Sequence, residues 1–255
     1  MIKARRSLSL LAVALASALP AWAEPVSGYS YLTAEMQAMQ DDEFGNPGML
    51  AVEAGEQLFS LPGNTGKSCA SCHGEHGEQL DVRRLARYPV YSKELQQPVT
   101  LRSRLLMCRK DRLGEPPLEY GSAQALQLEA FVRHLARGQT VDVDVGGPMA
   151  AHYAAGEKLY HTRYGQVDIA CHQCHDYHAG QNFRGQILTQ GQTNGFPVYR
   201  FTEGKVVGLQ ERISQCLTNL RAEPYAIGSP EYLDLEIYMS ARSNGLKIET
   251  PAIRY

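Results

Sequence analysis

Apolar positions recur at helical spacing in two pairs of segments, and stretches rich in glycine and proline separate the members of each pair. Over 122–138, Leu128, Phe131, Val132 and Leu135 fall at i, i+3, i+4 and i+7, which predicts a helix with one buried face. Ser122 caps it and Gly138 closes it. Ser229 and Pro230 open a second such helix, with Leu233, Ile237 and Met239 partly inward and Gly245 at the stop. Asn46 as N-cap and Pro47 in the first turn predict an earlier helix running to Phe59, and Pro148 opens its counterpart, which runs to about Tyr160. A shorter helix is expected over Thr33 to Gln40, a turn over Gly63 to Lys67, and a hairpin turn at Thr202-Glu203-Gly204-Lys205. Between the paired segments, in 139–147, the alternation Val141-Asp142-Val143-Asp144-Val145 is expected to run extended along a domain surface.

The pairing is an internal duplication. Ala54-Gly55-Glu56-Gln57-Leu58-Phe59 matches Ala155-Gly156-Glu157-Lys158-Leu159-Tyr160. Farther on, Tyr88-Pro89-Val90-Tyr91 matches Phe196-Pro197-Val198-Tyr199, and the stretch from Leu101 to Cys108 matches that from Leu209 to Cys216. The offset between copies is 101 at the Gly-Glu pair and 108 at the last cysteine, so the second copy carries an insertion, placed in the Gly-, Gln- and Asn-rich stretch from Gly180 to Gly195. Each copy is one structural unit repeated. The expected fold is mainly α: two tandem domains related by internal duplication, 24–145 and 146–255, with long loops between the helices of each.

The cysteines make the two domains cytochrome c-like, with the long loops wrapped around a cofactor in each. Cys69-Ala70-Ser71-Cys72-His73 and Cys171-His172-Gln173-Cys174-His175 are both Cys-x-x-Cys-His, the attachment pattern of a c-type haem. In this pattern the thiols add to the haem vinyl groups and the histidine ligates iron. A zinc site would want further ligands beside each pair. Two covalent c-type haems are therefore expected, held by Cys69, Cys72, Cys171 and Cys174, with His73 and His175 on the irons.

Cys108 and Cys216 remain. They occupy equivalent positions, 19 residues after Pro89 and Pro197, which favours each as the distal ligand of its own haem. A disulfide between them and two buried thiols are the alternatives, and Met107 competes with Cys108 at the first site. Each cysteine follows an arginine by four residues, Arg104 and Arg212, so on a helix each pair shares a face. A guanidinium there favours a thiolate and suits an oxyanion, although for Arg104 a surface or propionate-pairing role is the simpler reading. Leu105, Leu106 and Met107 wall Cys108, whereas Ile213, Ser214 and Gln215 precede Cys216, so Cys216 is the sulfur a substrate is expected to reach. The histidines outside the motifs (His76, His134, His152, His161 and His178) read as surface or satisfied core residues.

The first residues add a compartment. Lys3, Arg5 and Arg6, the apolar run Leu8 to Leu19 and Ala21-Trp22-Ala23 predict a signal peptide over 1–23, too short for a membrane span. Its removal would take three cations and no anions, and the formal charge of −2 would fall to −5. That balance argues against nucleic acid and anionic membrane as partners, and the expected location is the periplasm.

Two haem motifs, a distal cysteine in each copy and Arg212-x-x-x-Cys216 in the second resemble the dihaem form of the SoxA family, catalytic subunits of SoxAX cytochromes, over essentially 33–255. The resemblance implies L-cysteine S-thiosulfotransferase activity, coupling thiosulfate oxidatively to a cysteine of a SoxYZ-like carrier protein. It implies a heterodimer with a SoxX-like monohaem cytochrome c subunit and a soluble cytochrome c as electron acceptor. It also implies that Cys216 is the catalytic haem ligand, carrying a cysteine persulfide, and that Arg212 binds substrate. Two other functions compete: a dihaem electron-transfer cytochrome without substrate chemistry, which would keep Met ligands, and a dihaem peroxidase, which would need an open iron.

Overall fold

The computed structural model describes residues 24–255; the expected signal peptide, 1–23, lies outside the described residues. The helices are α1 (Ala34–Asp41), α2 (Met49–Ser60), α3 (Ala70–His73), α4 (Val82–Leu85), α5 (Leu101–Leu113), α6 (Ala123–His134), α7 (Ala150–His161), α8 (Cys171–His175), α9 (Leu209–Asn219) and α10 (Pro230–Ala241). Short strands lie between them: β1 (Val90–Ser92), β2 (Gln97–Val99), β3 (Asn182–Phe183), β4 (Gln186–Ile187), β5 (Val198–Arg200), β6 (Lys205–Val207) and β7 (Ala252–Arg254). Among the described residues no helix is long and apolar enough to cross a membrane.

Each copy is built on one crossing, and glycine makes it. A Cβ on Gly55 of α2 would collide with the Gln127 carbonyl of α6, and one on Gly156 of α7 with the Asp234 carbonyl of α10. The repeated Ala-Gly-Glu thus lets the helix before each motif touch the backbone of the helix that ends each copy. Around the crossings lie two separate cores. Val52, Phe59, Leu128, Phe131 and Val132 belong to the first, and Tyr160, Leu209, Ile213, Leu217 and Tyr232 to the second. Half-buried Cys69 and Cys171 pack against their own cores.

The caps follow the sequence in most places. Thr33, Ser122 and Ser229 accept from backbone N–H groups at the starts of α1, α6 and α10. Asn46 and Pro47 do not start α2, which begins at Met49 after Gly48. The Asn46 side chain instead closes the turn before the helix and ties it to the C-terminal end: its Oδ1 accepts from Gly48 N at 2.9 Å and its Nδ2 donates to Pro251 O at 2.8 Å. Pro148 falls in a single 3-10 turn, Gly147–Met149, that leads into α7.

The copies are laced together by the chain ends. The alternating valines of 141–145 are not a surface strip: Val141 and Val143 are buried while Asp142 and Asp144 are exposed. The segment pairs with 245–248 through Val141 N to Leu246 O and Ile248 N to Gln139 O, both 2.9 Å, and Ile248 enters the first core. The hairpin expected at Thr202–Lys205 forms between β5 and β6, Val198 opposite Val207, and β7 adds in parallel on the other edge of β5. Gln40, at the N-terminal end, accepts through Oε1 from Ile253 N at 3.1 Å and Arg254 Nη1 at 2.8 Å.

Candidate haem and anion site

In the second copy the proximal histidine is oriented before any ligand arrives. His175 Nδ1 donates to the Thr189 carbonyl at 2.7 Å, which fixes the tautomer and leaves Nε2 with its lone pair for a metal. Burial holds the His175 imidazole below its ordinary pKa, so the ring is neutral, as ligation needs. Gly191 closes over the ring: its φ is +73°, and a Cβ there would lie 3.3 Å from His175 Cγ. Thr189 and Gly191 both lie in the inserted stretch, so the insertion serves the proximal side of this site. The Asp176 carboxylate ties the motif to its surroundings, accepting from Tyr160 Oη at 3.0 Å and from Arg242 Nη2 at 2.5 Å. In the first copy His73 is packed against the Phe59 ring instead, centroids 6.3 Å apart.

The cysteines fall into two groups, one per copy. All six are free thiols, so the structure joins Cys108 and Cys216 by no disulfide. Burial, with the charge of Cys216 added, pushes the Cys171 thiol up to about 12 and raises Cys174 as well. Burial likewise raises Cys69 and Cys108; Cys108 adds to the rise at Cys69, and Cys72 to that at Cys108. Each distal cysteine therefore lies near the motif of its own copy, on α5 or α9. Neutral thiols against an apolar core, an oriented neutral imidazole and a facing sulfur fit a c-type haem.

Arg104 and Cys108 share α5, and Arg212 and Cys216 share α9, so each pair stands one helical turn apart. Arg212 is close enough to His175 to depress its pKa further, and Cys216 close enough to Cys171 and Cys174 to raise theirs, so both residues of the α9 pair lie near the second motif. Cys108 and Cys216 are both half-buried, so the predicted contrast in reach is one of wall chemistry rather than exposure. The extra histidines take ordinary partners: Glu56 for His76, Asp234 for His152, Gln181 for His178 and the Thr250 carbonyl for His134.

A mainly helical duplicated chain, with a haem attachment motif between the crossing helices of each copy, defines a tandem c-type cytochrome. The family model for the SoxA/TsdA cytochrome c domain matches residues 54–141 and 155–248, one copy each. The chain belongs to this SoxA/TsdA cytochrome c family, whose domains carry c-type haem. It is 36% identical over 233 residues to the L-cysteine S-thiosulfotransferase subunit SoxA of Pseudaminobacter salicylatoxidans, covering 91% of this chain and 81% of that one. Its identity to the corresponding protein of Rhodovulum sulfidophilum is 35% over 229 residues, covering 89% and 79%. A chain of the crystal structure of SoxXA from P. pantotrophus superposes with a TM-score of 0.84 at 30% identity, over 91% of this chain and 87% of that chain.

Proposed function

We propose that this protein is the SoxA-type subunit of an L-cysteine S-thiosulfotransferase, acting in the periplasm after loss of residues 1–23. Two c-type haems are held in units 24–145 and 146–255, through Cys69, Cys72, His73 and Cys108 in the first and Cys171, Cys174, His175 and Cys216 in the second. Its partners are a SoxX-like monohaem cytochrome c, with which it forms a heterodimer, and a SoxYZ-like carrier protein.

The observation that carries this reading is the face of α9 where Arg212 stands one turn before Cys216, beside His175. Arg212 binds the thiosulfate anion. Cys216, as a persulfide, holds the sulfur through which thiosulfate and the carrier thiol are joined as the two electrons are withdrawn. In the net reaction a carrier thiol and thiosulfate form one S–S bond; two electrons and one proton leave, and the electrons pass to a soluble cytochrome c. When bound, the haem supplies a one-electron acceptor next to that sulfur. The test is thiosulfate-dependent reduction of cytochrome c by the purified heterodimer with its carrier. Reduction that needs both thiosulfate and carrier supports the reading; a haem-replete protein that shows none overturns it.

A further inference from the structure

Superposing the copies in register exposes a second cation. With Pro89 aligned to Pro197, Ser92 at the end of β1 corresponds to Arg200 at the end of β5, Leu95 to Glu203, and Met107 to Gln215. The frame is the same in both: Ser92 pairs with Gln97 across its hairpin as Arg200 pairs with Lys205 across its own. The chemistry differs at all of these positions, and in the second copy the three side chains join. Arg200 Nε donates to Glu203 Oε1 at 3.1 Å, and Gln215 Nε2 donates to Glu203 Oε2 at 2.9 Å. Glu203 thus bridges the hairpin to the residue before Cys216.

The bridge fixes Arg200 without consuming it. Arg200 is 8% exposed, and among the described residues only its Nε is engaged by another side chain. Burial lowers its pKa, the like charge of Arg212 lowers it further, and the Glu203 carboxylate and the Cys216 sulfur push it back. A buried guanidinium held through Nε offers its terminal nitrogens as a fork, the geometry that matches a tetrahedral oxyanion. The first copy carries the same haem attachment motif yet has Ser92 here, so anchoring a haem does not explain the arginine.

We infer that Arg200, held by Glu203 and Gln215, is a second anion-binding residue of the Cys216 site, acting with Arg212 on the sulfonate end of thiosulfate or of its carrier conjugate. This rests on the proposed thiosulfate chemistry. Two cations, one from the hairpin and one from α9, would hold a dianion from two sides and turn its outer sulfur toward Cys216. The arrangement also selects against uncharged thiols, which gain nothing from either cation.

The test uses the haem-loaded heterodimer and three readouts: kinetics with thiosulfate, thiosulfate titration followed by the low-spin haem spectrum, and the reduction potential of the second haem. Arg200→Gln should raise both KM and Kd for thiosulfate about tenfold, the loss of one charge-assisted contact, with little change in kcat. Arg200→Lys keeps the charge but not the fork and should recover part of that loss. If Arg200→Gln fails to load its haems, Arg200→Lys alone decides, with an expected two- to fourfold rise, about a third to three fifths of the tenfold effect on a logarithmic scale. A shifted potential with unchanged KM and Kd would make Arg200 a haem-propionate partner and overturn the inference. An active wild type with an unaffected Arg200→Gln would remove this inference and leave the function standing, whereas an inactive wild type would remove the function.

Discussion

The two copies share a skeleton and differ in the side chains set on it between the proximal histidine and the second cysteine of each. Gly55 and Gly156 make the same crossing, the β1–β2 and β5–β6 hairpins have the same register, and α5 and α9 each carry Arg-x-x-x-Cys. At aligned positions the first copy has Ser92, Leu95 and Met107, and the second has Arg200, Glu203 and Gln215, which are joined by hydrogen bonds through Glu203. The inserted stretch sends a carbonyl to His175, while His73 leans on Phe59. Both copies thus keep the same scaffold, and on the proposed reading the polar side chains of the second give it a place for an anion. A relay of electrons needs only the scaffold; chemistry on a charged sulfur substrate needs both.

The largest expected effect breaks the pair at the sulfur itself. Cys216→Ala should abolish thiosulfate-dependent turnover, while Cys108→Ala leaves a measurable remainder; the reverse outcome would exchange the roles of the copies. Next comes the cation. Arg212→Ala should keep its haems yet lower turnover by ~10²–10³, the loss of a charged donor to an oxyanion, whereas Arg104→Ala should change it far less. Intact mass, reporting haem additions, separates lost chemistry from lost cofactor in each variant.

Much of this contrast is legible in the sequence, because repeats and capping signals are local. The Cys-x-x-Cys-His pairs, the caps at Ser122 and Ser229 and the hairpin turn at 202–205 each depend on neighbours within a few residues. Asn46 misleads only in part: its Oδ1 closes a local turn on Gly48 N just before α2, while its Nδ2 is taken by Pro251, 205 residues away, where no local rule reaches. The valines of 141–145 mislead likewise, since the partner that buries them arrives at 245–248. Sequence does locate the insertion between the proximal histidine and the distal cysteine, but not that Thr189 would meet His175. Arg200 leaves a trace that the aligned copies contain, Ser92 against Arg200; only the bridge through Glu203 to Gln215 gives that trace a meaning.

A third prediction asks whether the skeleton is as equivalent as its geometry. Gly55→Ala and Gly156→Ala each drive a methyl group into a backbone carbonyl across a helix crossing. Each should destabilise toward the upper end of about 1–3 kcal/mol, because α2 must part from α6 and α7 from α10. Thermal unfolding of the haem-loaded protein should show losses of similar size. If only one variant unfolds early, the two crossings are unequal supports.

A last difference, felt only through pH, lies where the copies meet. Counting seven residues on from the capping serines Ser122 and Ser229 places Glu129 and Glu236 at equivalent positions, and Arg102 corresponds to Gln210. In the first copy Arg102 Nε meets Glu129 at 2.7 Å; in the second the neutral Gln210 Nε2 meets Glu236 at 2.8 Å. Arg102 also reaches across to Glu211 at 2.5 Å, so its charge is already divided between two carboxylates. Burial, with the charge of Glu129 added, raises Glu236 to about 7; Gln210 and Arg102 act against the rise and Glu211 with it. Unfolded, this carboxyl returns to its ordinary value of 4.5. Between those values the native state binds more protons than the unfolded state, so stability falls as pH rises from 4.5 toward 7 and levels off above. The fall owed to this group is on the order of 3 kcal/mol. Glu236→Gln, which mimics the protonated acid, should match wild type in thermal unfolding at low pH and exceed it above pH 7. A variant whose margin over wild type stays constant across that range would show that Glu236 remains ionised at the junction throughout.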